Sequence, residues 1–330
     1  MKILSFVLIL VVLIFIIQGV YLFFQPITLR NMVIEIKEGE TASDIAEKLY
    51  EKGVITSKAW FHFYTTIAGY TNRLSYGKYL FHGSYSLTEA VQKIISGEVY
   101  LRKITIPEGL SIWRTCRRLS HFGFGDYNKF KQIANDSTFA KKVTGFSIPN
   151  LEGFLYPETY YFPEDVTEEY IITTMVRRFF LSTSNLDFAP DEKLDFYDTI
   201  ILASIIEKEA KFDDEKPLIA SVYLNRIEYG MKLQADPTVA YILEQLGRTR
   251  QKIYYRDLEI DSPFNTYKYS GLPPRPICSP GLSSLEAVLN PVESDYFFFF
   301  ADGDKGRHIF SQTYSQHLSQ QRELKRKNAG

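Results

Sequence analysis

Residues Thr199 to Ala210, TIILASIIEKEA, form an uninterrupted apolar run that ends in Glu207, Lys208 and Glu209. A helix apolar on every side belongs inside a domain, so its end carries carboxylates into or beside a core. Burial disfavours the charged carboxylate and raises its pKa, which suits a general acid working near neutral pH. At about 100° per residue, Glu207 and Glu209 point about 160° apart, so at most one faces a given pocket. Glu207 shares its face with the small Ala203 and Ser204, which leave room for a ligand, whereas Glu209 sits above Ile205 and Ile206. Glu207 is therefore the expected acid. Solvated acids at an ordinary helix end are the competing reading, and this helix taken alone favours it.

The rest of the chain must supply the context. It has 330 residues, 45% hydrophobic and 23% charged, which is globular material for two or three domains. A net charge of −1 argues against a nucleic-acid partner, which favours a concentrated basic face. Cys116 and Cys278 are too few and too far apart for a disulfide framework or a zinc site.

Ile3 to Phe24 is almost wholly apolar and matches the length of about 20 residues that spans a bilayer. No small-x-small cleavage site follows before Gln25-Pro26, so a retained anchor is expected rather than a signal peptide. Only Met1 and Lys2 precede the span, which places the N-terminus in the cytoplasm and the remaining chain outside.

An internal repeat follows at a shift of 70 residues. Ile34, Ile36, Glu38, Gly39, Thr41, Leu49 and Gly53 fall on Ile104, Ile106, Glu108, Gly109, Ser111, Leu119 and Gly123. Each copy reads as a strand, a Glu-Gly turn, and a helix capped by Thr41 or Ser111. Thr41 and Asp44 approximate a capping box, while Arg114 in the second copy removes the return bond. The segment IKEGETASDIAEKL resembles the small peptidoglycan-binding LysM module. Tyr76 to Phe81 is the expected second strand, and Ser86 with Glu89 caps a helix over Leu87 to Ile95. Glycan binding and mere spacing from the membrane are both open to this region.

The C-terminal half alternates helices with loops dense in turn residues. NLEGFLYPETYYFP places Glu152 and Glu158 among aromatics, with Tyr156 on a segment constrained by Pro157. A helix is predicted over Lys216 to Tyr229. Asp236 precedes Pro237 and reads first as the cap of a helix from Thr238 to Leu246. Asn265 and Tyr267, in DSPFNTYKYSG, offer the amide and phenol groups that hold sugar hydroxyls. LPPRPICSPG is a stiff loop able to wall a groove, and Tyr296 to Ala301 with His308 to Ser311 forms a hairpin.

Five motifs in register, EGFLYPETY, ASIIEKEA, VYLNRIEYGMKLQADPTV, SPFNTYKYSGLPPRPICSPG and FFFADGDKGRHIFSQT, resemble the endolytic murein transglycosylase family, also known as MltG or YceG-like. The resemblance implies an inner-membrane protein whose catalytic domain faces the cell wall. It implies cleavage of peptidoglycan glycan strands between N-acetylmuramic acid and N-acetylglucosamine, leaving a 1,6-anhydro end, with a role in ending strand elongation. It places the catalytic glutamate in IIEKE, at Glu207, and leaves Glu209 without a required role. Around the substrate it implies Glu152, Tyr156, Gln234, Asp236, Asn265, Tyr267 and His308. Penicillin-binding synthases are the implied protein partners; no cofactor or metal is implied. Arg275, where family members commonly carry a small residue, is expected to narrow or charge one groove wall.

The expected architecture is α+β: a single N-terminal transmembrane helix (1–25), a LysM-like domain (26–100), a second strand-helix repeat and connector (101–149), and a mixed α+β catalytic domain (150–330). A hydrolytic muramidase and a non-catalytic wall-binding scaffold are the alternatives.

Overall fold

The computed structural model describes residues 2–164, 166–188, 194–248, 252–303 and 306–327, with part of the side chains in its first helix. The chain forms two compact units: residues 1–103 with 161–166, and residues 104–160 with 167–330. Residues 104–149, read from the sequence as a separate connector, therefore fold with the second unit.

The first unit contains α1 (Lys2–Phe24), β1 (Ile27–Ile36), α2 (Ala42–Glu51), α3 (Lys58–Ile67), β2 (Gly77–Tyr85) and α4 (Leu87–Ile95). Strands β1 and β2 pair antiparallel, with Ile34 opposite Tyr79. Period-two alternation sends Ile34, Ile36, Tyr79 and Phe81 inward, where they meet Leu49, Phe61 and Ile94. Each such fully buried side chain contributes about 1.5–3 kcal/mol. The caps read from the sequence are present. Thr41 and Asp44 exchange both bonds of a capping box, as do Ser86 and Glu89. Among the described residues no helix is long and apolar enough to cross a membrane; α1 is 23 residues long, and several of its side chains lie outside them.

Strand β3 (Leu101–Thr105) pairs with a later strand, and the unit boundary falls inside both. Beyond it come α5 (Ile112–His121), α6 (Tyr127–Ala134), α7 (Ser137–Thr144), β4 (Thr159–Pro163), which is β3's partner, and α8 (Glu168–Ser182). The repeat is visible in the backbone. Gly39 and Gly109 both adopt positive φ, 85° and 72°, at the Glu-Gly turn. Ser111 accepts from the Arg114 amide without a reciprocal bond, as the missing acid requires.

Helix α9 (Phe196–Glu209) is the axis of the second unit. Its residues Thr199 to Ile206 are all buried. It packs against α10 (Lys216–Glu228), α11 (Asp236–Gln245) and α12 (Leu282–Leu289). Strands β5 (Phe298–Ala301) and β6 (His308–Ser311) form the expected hairpin, with Ala301 opposite His308; turn residues 304–305 lie outside the described residues. The chain closes with α13 (Tyr314–Lys327), which has no buried residue.

Candidate active site

Glu209, at the C-terminal end of α9, and Asp236, at the first position of α11, line two cavities in common. The first, about 560 Å³, continues past Lys208, Tyr241, Glu244 and Lys252. The second, about 400 Å³, continues past Tyr223, Gln234, Tyr267, Phe299 and His308. The pair of acids thus stands where two open clefts meet.

Glu209 is held from α10. The buried Tyr223 donates its phenolic hydrogen to Glu209 Oε1 at 2.7 Å. Burial pushes the Glu209 carboxyl up from 4.5 to about 7; the Tyr223 hydrogen bond opposes this, Asp236 adds to it, and Arg226 opposes it. Arg226, one turn beyond Tyr223, gives its guanidinium to the carbonyls of Phe297 (2.7 Å) and Leu233 (2.6 Å). It fixes the hairpin and the 232–235 segment to α10 while lending positive charge to the site.

Asp236 follows Gln234, whose φ of 53° is the left-handed region that a non-glycine residue enters at a cost. Thr266 stabilises that turn: its carbonyl accepts from the Gln234 amide and its hydroxyl from the Ala235 amide. The result exposes Gln234 and Asp236 to the clefts. Asp236 is no helix cap, because Ala235 occupies that position and no side-chain cap bond forms. Its Oδ1 instead accepts from the Tyr267 hydroxyl at 2.6 Å. His308 completes the far cleft, its Nδ1 lying 3.1 Å from Glu215 Oε2 while its amide donates to Glu215 Oε1.

Five sequence-based assignments change. Glu207 does not line either cleft. Its Oε2 accepts from Ser284 Oγ (2.6 Å), the Gly281 amide (3.1 Å) and Lys216 Nζ (3.3 Å). Gly281 is the N-cap of α12 and has no side chain to cap with, so Glu207 supplies the carboxylate that this helix start favours. The room expected beside Ala203 and Ser204 is taken by the proline-rich loop: the Ile277 amide donates to Ser204 Oγ and the Cys278 thiol to the Ser204 carbonyl.

Glu152 is fully buried, accepting from the Ile112 amide and the Tyr241 hydroxyl, both at 2.9 Å. It supports the first cleft from beneath, through Tyr241, and does not face it. Tyr156 is buried edge-on against Phe179. Asn265 is fully buried as well, donating to the carbonyls of Leu258 and Ile260 and accepting from the Tyr267 amide. With these groups occupied, it shapes the loop that presents Tyr267. Arg275 stacks over Phe264 at 4.8 Å and borders neither cleft. Of the predicted substrate residues, Gln234, Asp236, Tyr267 and His308 do come together. Tyr223 and Arg226 were missed, although a tyrosine and an arginine inside the apolar face of a predicted helix are themselves a signal of buried polar work.

A family model described as the YceG-like family matches residues 34–323. A Bacillus subtilis (strain 168) protein named endolytic murein transglycosylase is 34% identical over 303 residues, covering 86% of this chain and 82% of its own length. A Streptococcus pneumoniae (strain D39) protein of the same name is 27% identical over 322 residues, and the match covers 87% of this chain and 57% of that relative's length. A crystal structure of a yceG-like protein from Listeria monocytogenes superposes with a TM-score of 0.61 at 35% identity, covering 88% of this chain and 99% of the other.

Proposed function

This chain belongs to the YceG-like family, and from that membership we propose that it is a membrane-anchored endolytic murein transglycosylase whose proton-transfer group is Glu209. The observation that carries the assignment to Glu209 is its place at the junction of the two clefts, in surroundings that raise its carboxyl to about 7. An acid that cuts within a strand needs room for sugars on both sides of the bond, and a proton available near neutral pH.

Glu209 protonates the glycosidic oxygen as the muramic C1–O bond breaks with oxocarbenium character. The resulting carboxylate then removes the proton from the same sugar's C6 hydroxyl as that oxygen closes on C1. One carboxyl serves both steps and no water is consumed, whereas ordinary glycosidases divide the work between two. The nucleophile is intramolecular, so holding the sugar in position replaces a bimolecular encounter. Asp236, fixed by Tyr267, places negative charge beside the developing cation. Gln234 and His308 line the second cleft, where they are available to orient the muramic residue.

Asp236 also gives hydrolysis a specific footing, as a second carboxylate able to activate water. Mass spectrometry of glycan strands digested by the purified chain separates the two readings. The transglycosylase produces 1,6-anhydro ends, lighter by one water; reducing ends alone would establish a muramidase.

The apolar run of α1 supports a single-pass anchor, with the second unit outside the cytoplasmic membrane. In the first unit, the antiparallel pairing of β1 with β2 supports the LysM-like reading. A role in ending strand elongation beside penicillin-binding synthases follows from acting on nascent glycan at the membrane surface.

A further inference from the structure

Helix α3 carries apolar side chains on two faces. Phe61 and Thr65 point into the core of the first unit and are fully buried. Trp60, Phe63, Tyr64 and Ile67, spaced i, i+3, i+4 and i+7, make a second stripe. Its outer members stay open: Phe63 is 52% and Ile67 70% exposed. Beside them the end of α1 leaves Val20, Tyr21 and Phe24 exposed too. Gly19, Val20, Phe23, Phe24, Trp60 and Phe63 line an apolar cleft of about 360 Å³ between the two helices. Contiguous exposed apolar surface of this kind marks an interaction site.

The junction is tightly built. Phe23 meets Trp60 and Tyr64 edge-on, with ring centroids 6.2 and 5.0 Å apart, and packs on the core. Gly19 admits the indole: a Cβ there would stand 2.1 Å from Trp60 Cζ2.

This contact sets a depth. Gly19 lies about 7.5 Å along the helix from Phe24, and Ile3 to Phe24 is about 33 Å long at 1.5 Å per residue. That length matches a hydrocarbon layer of about 30 Å. With the run in a bilayer, Trp60 rests near the boundary between acyl chains and headgroups, where tryptophan and tyrosine are favoured. α3 has no acidic residue, and Lys58 stands at its start, so nothing on it repels an anionic surface.

We propose that α3 is an interfacial membrane helix: Trp60, Phe63 and Ile67 enter the leaflet in which α1 ends, and lipid acyl chain fills the cleft between them. The first unit then lies against the bilayer instead of swinging from a tether. This rests on the membrane-anchored reading of α1. Lipid is the occupant because the stripe is continuous with the apolar run itself, and burial of one face by about 5–10 Å is how such helices bind.

The chain has two tryptophans, Trp60 and Trp113, so the full-length Trp113→Phe protein in phosphatidylcholine–phosphatidylglycerol vesicles reports on Trp60 alone. Bromines placed shallow on the acyl chains are expected to quench Trp60 more than bromines placed deep. A control with Ile14→Trp as its only tryptophan is expected to show the reverse order. Quenching of the control without quenching of Trp60 would overturn the interfacial helix and leave the span intact. Loss of quenching in both would overturn the anchor together with the inference. Should Trp113→Phe fail to fold, the difference in quenching between the unmodified chain and Trp60→Phe gives the same reading.

Discussion

The phenol of Tyr223 donates to Glu209 Oε1 at 2.7 Å, from the middle of α10 to the last residue of α9. This bond favours the ionised carboxyl and so opposes the burial that raises it toward 7. If Glu209 must be protonated to act, activity falls as pH rises through its pKa. Tyr223→Phe removes the opposing bond, so the alkaline limb of the pH–rate profile is expected to move to higher pH. Initial rates of glycan release across pH 5 to 9, at saturating substrate, check it.

Asp236 acts in the opposite sense. Its negative charge raises the Glu209 carboxyl, so Asp236→Asn is expected to move the alkaline limb to lower pH. It also removes the charge that faces the developing oxocarbenium, and kcat is expected to fall about 10- to 100-fold. A shift in the same direction as Tyr223→Phe would contradict the electrostatic account.

Glu152 makes a prediction about stability. Burial raises its carboxyl from 4.5 to about 8, with the bonds from Ile112 and Tyr241 opposing. Between those values the folded chain holds a proton that the unfolded chain has released, so unfolding free energy falls as pH rises. Glu152→Gln is expected to flatten this part of the dependence, making melting temperatures more nearly equal at pH 5 and pH 8 than in the unmodified chain.

Local chemistry was legible in the sequence wherever a few neighbouring residues decide the outcome. The capping boxes at Thr41 and Ser86, the helix Leu87–Ile95 and the His308–Ser311 strand appear as read. The 70-residue repeat is visible in the paired Gly39 and Gly109 turns. Partners distant in sequence were not legible. Helical spacing separates Glu207 from Glu209 but does not say which face receives the loop at residues 277–281. Asp236 reads as a cap until Tyr267, 31 residues later, is seen to bond it. Asn265 has sugar-binding chemistry, yet its amide is occupied by its own loop. α13 was missed because its few apolar residues, Tyr314, Leu318 and Leu324, make no strong stripe and none of its residues is buried.

Paired substitutions test which acid of EKE transfers the proton. Glu209→Gln is expected to lower kcat by about 10²- to 10⁴-fold without lowering the melting temperature. Glu207→Gln weakens a site in which Ser284, Gly281 and the buried Lys216 all meet Oε2. It is expected to destabilise the fold by about 1–3 kcal/mol while the rate per folded molecule is largely kept. Measuring anhydro-ended product per folded enzyme for both variants beside their melting curves decides the matter. Near-normal turnover by Glu209→Gln, with turnover abolished in fully folded Glu207→Gln, would contradict the assignment.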